Sequence, residues 1–393
     1  MMKKSILIAT LGLLSFNVSA QDTPKAEEGF IFTTVKENPI TSVKNQNRSS
    51  TCWSFSALGF LESELLRMGK GEYDLSEMFV VHHTMMDRGV NYVRYHGDSS
   101  FSPGGSFYDI MFCLRNYGLV PQEAMPGIMY GDTLPVHNEL DAVAGAYVNA
   151  IAKGKLTPVW KKGLCSIYDT YLGKCPESFT YKGKEYTPKT FAESLGINPD
   201  DYISLTSFTH HPFYTQMNIE IQDNWRNGLS YNLPLMEFMS VIDNAVNNGY
   251  TVAWGSDVSE SGFTRDGIAV MPDADRGAEL TGSDMARWTG LTAADKRKEL
   301  TSRPLPEITV TQEMRQTAFD NWETTDDHGM LIYGIAKDQN GKEYYMVKNS
   351  WGTNNKYKGT WYASKPFVAY KTINILVHKD AVPKALLKKL GVK

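Results

Sequence analysis

The sequence predicts an α+β fold, and three observations carry that prediction. Ahead of Gly127, apolar residues recur three or four positions apart, the spacing of one helical face. Beyond Leu305 the chain changes to short strand-like apolar runs, two of them split by the hairpin signal Asp338-Gln339-Asn340-Gly341. Between these ends lies a long stretch that reads as mostly helical. Helices first and an antiparallel sheet last is the α+β order.

Residues 1–20 stand apart from this plan. Lys3 and Lys4 precede an apolar run from Ile6 to Phe16, and Val18-Ser19-Ala20 supplies small residues before Gln21. That is the order of a secretory signal, and the run is too short to span a bilayer. A soluble chain starting near Gln21, exported to a periplasm or the medium, is expected. Residues 21–126 then hold a polar, turn-rich leader and a helical lobe. In Gln46–Met68, the residues Phe55, Leu58, Leu61, Leu65 and Met68 share one face, so a helix begins at or just before Cys52. Asp74 or Ser76 caps a second helix. Ser106–Tyr117 reads as a third, stopped by Gly118. A Gly/Ser/Pro loop with the pair Gly104-Gly105 lies between the second and third.

Residues 127–305 form the mostly helical section, read as scaffold and interface, with an amphipathic helix at Leu235–Asn248, a buried strand at Tyr250–Trp254 and a solvated helix at Ala293–Leu300. Residues 306–393 carry a helix at Thr311–Trp322 and strands at Met330–Ala336, Tyr344–Val347, Thr360–Ser364 and Thr372–His378.

Composition narrows the function classes. At 393 residues and 42% hydrophobic content the chain can bury a large core. Its net charge is −4, or −6 once the two signal lysines are removed, the wrong balance for gripping phosphates, so nucleic acid is not an expected partner. No C-x-x-C pair occurs, and the adjacent pairs His82-His83 and His210-His211 make poor chelates, so neither metal nor cofactor is expected. Cys165 and Cys175 are close enough in sequence to pair in an oxidising compartment, although spacing alone does not show it.

Cys52 is the first candidate for chemistry. A thiol at a helix N-terminus faces the positive end of the dipole and unpaired N–H groups, which favours thiolate. By itself the stretch leaves both a nucleophile and a small buried apolar thiol open. His328 opens the first C-terminal strand and Asn349 closes the next. Pairing through the Asp338–Gly341 turn sets them within about two residues of level. An imidazole beside a thiol can take its proton and return it to a leaving amine, and an amide oxygen can hold the ring. Trp351 is placed to cover that bond. The Cys52 N–H and the Gln46 amide are the candidate oxyanion donors.

Gln46, Cys52-Trp53-Ser54-Phe55 and Asn349-Ser350-Trp351-Gly352 resemble the papain-like cysteine peptidases, including the six-residue step from Gln46 to Cys52. Gly104-Gly105, Tyr117-Gly118-Leu119-Val120-Pro121, the large insertion and Val382-Pro383 resemble the bleomycin hydrolase and aminopeptidase C branch. The resemblance implies a two-lobed papain-like fold, helical lobe plus antiparallel β lobe, with residues 127–305 as its insertion. It implies Cys52 as nucleophile, His328 as general acid/base, Asn349 as orienting residue and Gln46 as oxyanion donor. Gly104 and Gly105 would pair with an extended substrate backbone, with Trp351 also bordering the substrate. Members are typically hexamers whose C-terminal arm restricts the cleft to N-terminal residues. Here only KALLKKLGVK follows Pro383, shorter than the usual arm. Three readings stand: a thiol aminopeptidase, an endopeptidase with an open cleft, and a non-catalytic binding protein on the same fold.

Overall fold

The structure, a computed structural model, describes residues 29–273 and 282–392. The expected signal and Lys393 lie outside them. Its helices are α1 (Cys52–Arg67), α2 (Glu77–Arg94), α3 (Phe107–Asn116), α4 (Asn138–Ile151), α5 (Trp160–Leu172), α6 (Pro188–Leu195), α7 (Leu235–Asn247), α8 (Gly282–Gly290), α9 (Ala293–Leu300), α10 (Gln312–Asp320), α11 (Lys365–Lys371) and α12 (Lys384–Leu390). Its strands are β1 (Thr33–Glu37), β2 (Phe179–Tyr181), β3 (Lys184–Tyr186), β4 (Tyr202–Thr206), β5 (Gln216–Asn218), β6 (Leu229–Asn232), β7 (Val252–Ser256), β8 (Ile268–Ala269), β9 (His328–Lys337), β10 (Glu343–Lys348), β11 (Thr360–Ser364) and β12 (Thr372–His378). The fold is α+β, as expected.

Helix α1 runs through the middle of the helical lobe. Leu58, Leu61 and Leu65 are fully buried, each contributing roughly 2 kcal/mol of apolar burial. Ser76 caps α2 by accepting from the Phe79 N–H. Gly118 adopts a left-handed φ of 88° beyond the end of α3, and its N–H bonds back to Cys113 O. This lobe's core spans α1 to α6 and takes in Ala253, Leu331 and Leu376 from the sheet.

Nine strands run β5-β6-β4-β12-β7-β9-β10-β11-β8 in one sheet, with β1 joined to β9 as a tenth. Most pairs are antiparallel; β4 with β6 and β8 with β11 are parallel. The sheet corrects the reading of residues 127–305 as mostly helical. That stretch supplies β4 to β8 to the same sheet as the C-terminal strands, and β7 sits between β12 and β9. The strands are short and their partners lie far away in sequence, so local periodicity does not reveal them.

Strand alternation gives the sheet two different faces. Ser204, Ala253, Leu331 and Leu376 are cross-strand neighbours on the face turned to the helical lobe. Leu205, Trp254, Met330 and Ile375 lie on the other, packed with α7, α11 and α12. The tail therefore ends behind the sheet: Leu386 and Leu390 of α12 are buried there, and Lys389 bonds Glu237 at 2.6 Å. All four cysteines of the described residues are free thiols, so Cys165 and Cys175 are not joined.

Candidate active site

Cys52 opens α1, and β9 lies directly against that first turn. The close approach requires Gly329: a Cβ there would stand 2.5 Å from Ser56 Oγ and 3.4 Å from Cys52 O. It brings His328 and Cys52 to the wall of one cleft, which Gly105, Asp223, Asp326 and Asn374 also line. β9 and β10 pair with Lys348 opposite Leu331, across a bulge between Met346 and Val347, so His328 and Asn349 meet beyond the last paired residues. His328 Nε2 lies 2.7 Å from Asn349 Oδ1. With the proton on Nε2, Nδ1 is left as the basic nitrogen.

Asn349 Oδ1 also accepts from the Ser350 N–H at 2.7 Å. Its buried Nδ2 has no partner among the described residues, so the oxygen alone orients the amide. The Trp351 ring lies 4.8 Å from the His328 ring and shields the bond from that side. Trp351 packs edge-on against Trp361 and borders a separate groove with Asn45 and Asn47. Gln46 is buried; its N–H donates to Ser350 O at 2.8 Å, and its Oε1 accepts from Ser350 Oγ at 2.6 Å. That leaves the Gln46 Nε2 hydrogens as the uncommitted end. Ser350, unremarked in the sequence, thus touches both Gln46 and Asn349.

The electrostatics differ from the sequence expectation. Burial pushes the Cys52 thiol up to about 12, and Asp326 and Asp223 add to the rise against backbone hydrogen bonds at Gly329 and Trp53. Burial also takes His328 down to about 4, opposed by its bond to Asn349. Burial thus works against charge on both groups, favouring the thiol at Cys52 and the neutral imidazole at His328. Helix-dipole stabilisation of about 1 kcal/mol is too small to offset burial beside two carboxylates.

The glycine pair does not form a uniformly open edge. Gly105 lines the cleft, and a Cβ there would press on the Trp53 ring at 2.8 Å. Gly104 is covered by Asp223, and its carbonyl accepts from Arg88 Nη1 at 2.6 Å. The covering segment is the loop joining β5 to β6. Arg226 in it bonds Asp109 at 2.6 Å and Asp87 at 2.7 Å, Asp223 pairs with buried Arg88, and Gly228 rests on Tyr108. These contacts strap the sheet lobe to the helical lobe and make Ile219, Ile221, Asp223, Asn224 and Leu229 one wall of the cleft. Sequence reasoning missed the strap. Asp326 stood in view within Asp326-Asp327-His328, but Asp223 and Arg226 sit in a polar run with no periodic signal.

Two groupings of potential metal donors lie elsewhere, His82 with Cys165 and Asp169, and His210 with His211 and Glu220. The second departs from the adjacency argument: both imidazoles turn to Glu220, at 3.0 and 2.8 Å. Neither grouping lines the cleft.

Known proteins bear on this arrangement from both ends of the chain. The model of the papain family cysteine protease matches residues 31–91, and that of the peptidase C1-like family matches residues 281–393. Aminopeptidase C of Streptococcus thermophilus is 23% identical, covering 86% of this chain and 80% of its own length. Aminopeptidase G of Lactobacillus delbrueckii subsp. lactis is 22% identical, covering 88% and 83%. The crystal structure of PepW from Lactobacillus rhamnosis superposes with a TM-score of 0.66 at 21% identity, covering 91% of this chain and 84% of that one. With family matches at both ends, relatives of one kind along most of the chain and a shared fold, the chain is similar to the papain-like cysteine peptidases of the aminopeptidase C and bleomycin hydrolase branch.

Proposed function

We propose that the protein is a thiol aminopeptidase in which Cys52 is the nucleophile, His328 the general acid/base, Asn349 the residue that orients it and Gln46 an oxyanion donor. The observation that carries the reading is one cleft holding Cys52 and His328, with His328 bonded to Asn349 and one end walled by the β5–β6 strap. In the acylation step His328 Nδ1 takes the thiol proton as sulfur bonds to the scissile carbonyl carbon. The Cys52 N–H and Gln46 Nε2 stabilise the oxyanion. The C–N bond then breaks, the leaving amine receives the proton from His328, and water hydrolyses the thioester by the same route in reverse.

Gly105 offers its backbone to the substrate. Gly104 contributes less than the family pattern implies, because Asp223 and Arg88 occupy it. Trp351 does not line the cleft with Cys52; it stands beyond the His328 ring, on the separate groove, where only a long leaving group would reach it. The strap favours the aminopeptidase over an endopeptidase, since an extended peptide meets a wall beyond Gly105. Relatives named aminopeptidase C and G point the same way.

The test compares wild type with Cys52→Ala on an aminoacyl amide and its N-acetyl counterpart. The expected result is turnover of the free-amine substrate only, lost by more than about 10³-fold in Cys52→Ala. Equal cleavage of the blocked substrate would establish the endopeptidase instead, and unchanged hydrolysis by Cys52→Ala would remove Cys52 from the mechanism. Two further proposals rest on sequence alone: export through residues 1–20, tested by the N-terminus of the mature protein, and a hexamer, which a monomer in sedimentation at micromolar concentration would refute. Among the described residues no helix is long and apolar enough to cross a membrane.

A further inference from the structure

Up to Val392 the tail stays out of the cleft, because α12 packs behind the sheet and Val392 bonds back to Leu387 there. What stands at the walled end instead is a pair of carboxylates. Asp223 reaches over Gly104 from the strap, with Oδ1 held by Arg88 and by Ser102 at 3.2 Å. Its Oδ2 is the atom nearest Gly104 and has no hydrogen-bond partner among the described residues. Asp326 lines the same cleft, two residues before His328, without a hydrogen bond or ion pair among the described residues, and none of the described residues lining this cleft is a lysine or arginine. Arg88 is buried beneath Asp223 and also spent on the carbonyls of Ser100, Gly104 and Gln222. With the one buried guanidinium held by Asp223, the Asp326 carboxyl beside the nucleophile has no cationic partner among the described residues, and an arriving ammonium would favour its ionised form.

We propose that Asp223 and Asp326 bind the α-ammonium of the substrate's N-terminal residue, so that the β5–β6 strap, and not the C-terminal tail, makes this enzyme an aminopeptidase. The inference rests on the aminopeptidase reading and adds the residues that enforce it. Backbone dimensions put an α-ammonium roughly 2.5 Å from the carbonyl carbon that Cys52 attacks. Its binding site must therefore lie within the wall that holds the thiol, and both carboxylates do. An ammonium offers three donors, enough to satisfy Asp223 Oδ2 and an Asp326 oxygen together. The same contact feeds back on the nucleophile. Both carboxylates raise the Cys52 thiol; a bound cation cancels their field and moves the thiol toward the thiolate. A blocked N-terminus forfeits both the binding and the activation.

The test measures kcat/KM for the aminoacyl amide, its N-acetyl form and its desamino analogue, in wild type, Asp223→Asn and Asp326→Asn. Alkylation of Cys52 by iodoacetamide, followed on its tryptic peptide, reports an intact site. Loss of a charge-assisted bond predicts a roughly 10- to 100-fold fall for the free-amine substrate in each variant. The acetylated and desamino substrates should show no such fall, and Cys52 should alkylate faster in both variants at pH 7. Because Asp223 also holds Arg88, Asp326→Asn decides the matter if Asp223→Asn does not fold. Wild type that prefers the free amine, with variants keeping that preference, would overturn the proposal and leave the aminopeptidase standing. Wild type with no preference for the free amine would overturn the aminopeptidase reading itself.

Discussion

Asp326 is expected to be a liability to the fold that the cleft retains for its chemistry, and replacing it tests that with a sign that depends on pH. Burial, then the nearby Asp223 and Asp327, raise its carboxyl to about 8 from a reference of 3.8. The unfolded chain releases this proton about four pH units before the folded chain does. For an acid whose folded value is raised, stability is greatest below the unfolded value and falls as pH climbs through the window between them. Four units at about 1.4 kcal/mol each set an upper bound of about 6 kcal/mol, and partial exposure of the side chain reduces it to about 2–3 kcal/mol. Asp326→Asn replaces a mostly protonated carboxyl with a neutral group of the same shape. The variant should match wild type near pH 4 and exceed it by about 2–3 kcal/mol at pH 8. Urea unfolding followed by tryptophan fluorescence at both values reads the difference. A variant whose advantage over wild type is no larger at pH 8 than at pH 4 would refute the argument, because Asp326 would then ionise as freely in the fold as out of it.

Three other outcomes follow from the geometry. Asn349→Ala removes the acceptor at 2.7 Å from His328 Nε2 and should lower kcat by 10-fold or more, roughly, with KM little changed; an unaltered kcat would deny it the orienting role. Gly105→Ala drives a methyl against the Trp53 ring at 2.8 Å and should cost about 1–3 kcal/mol of stability in thermal unfolding while raising KM. Truncation after Pro383 strips α12 from the back of the sheet. It should reduce stability by a few kcal/mol, about what burying Leu386 and Leu390 supplies, yet leave the preference for free over acetylated N-termini intact; a relaxed preference would put the tail in the cleft after all.

The reach of the sequence follows from the range of the contacts. Helix α1 is legible because Leu58, Leu61 and Leu65 are periodic neighbours, and α3 because Gly118 punctuates it. The meeting of His328 and Asn349 is legible because one hairpin turn fixes the register, and only the bulge after Met346 escapes it. β7 is visible as an apolar run, but its place between β12 and β9 is not, since neither partner is near in sequence. Asp223 lies farther still from pattern. Its role depends on meeting Gly104 and Arg88 across more than a hundred residues, and nothing local marks a carboxylate that will do so. The charge balance at Cys52 is half legible for the same reason: the helix end that favours thiolate is local, whereas the burial and the two acids that push the thiol the other way are not.

The strand order also dictates when the enzyme can exist. β12, nearly the last segment to be made, lies between β4 and β7, and β9 lies between β7 and β10. The centre of the sheet therefore stays open until synthesis is almost complete. Cys52 emerges early, but the strand that starts at His328 has nowhere stable to lie until β10 to β12 have followed it. A growing chain carries Cys52 without the strand that brings His328 beside it. The proposed triad is therefore complete only once the last strands have joined the sheet.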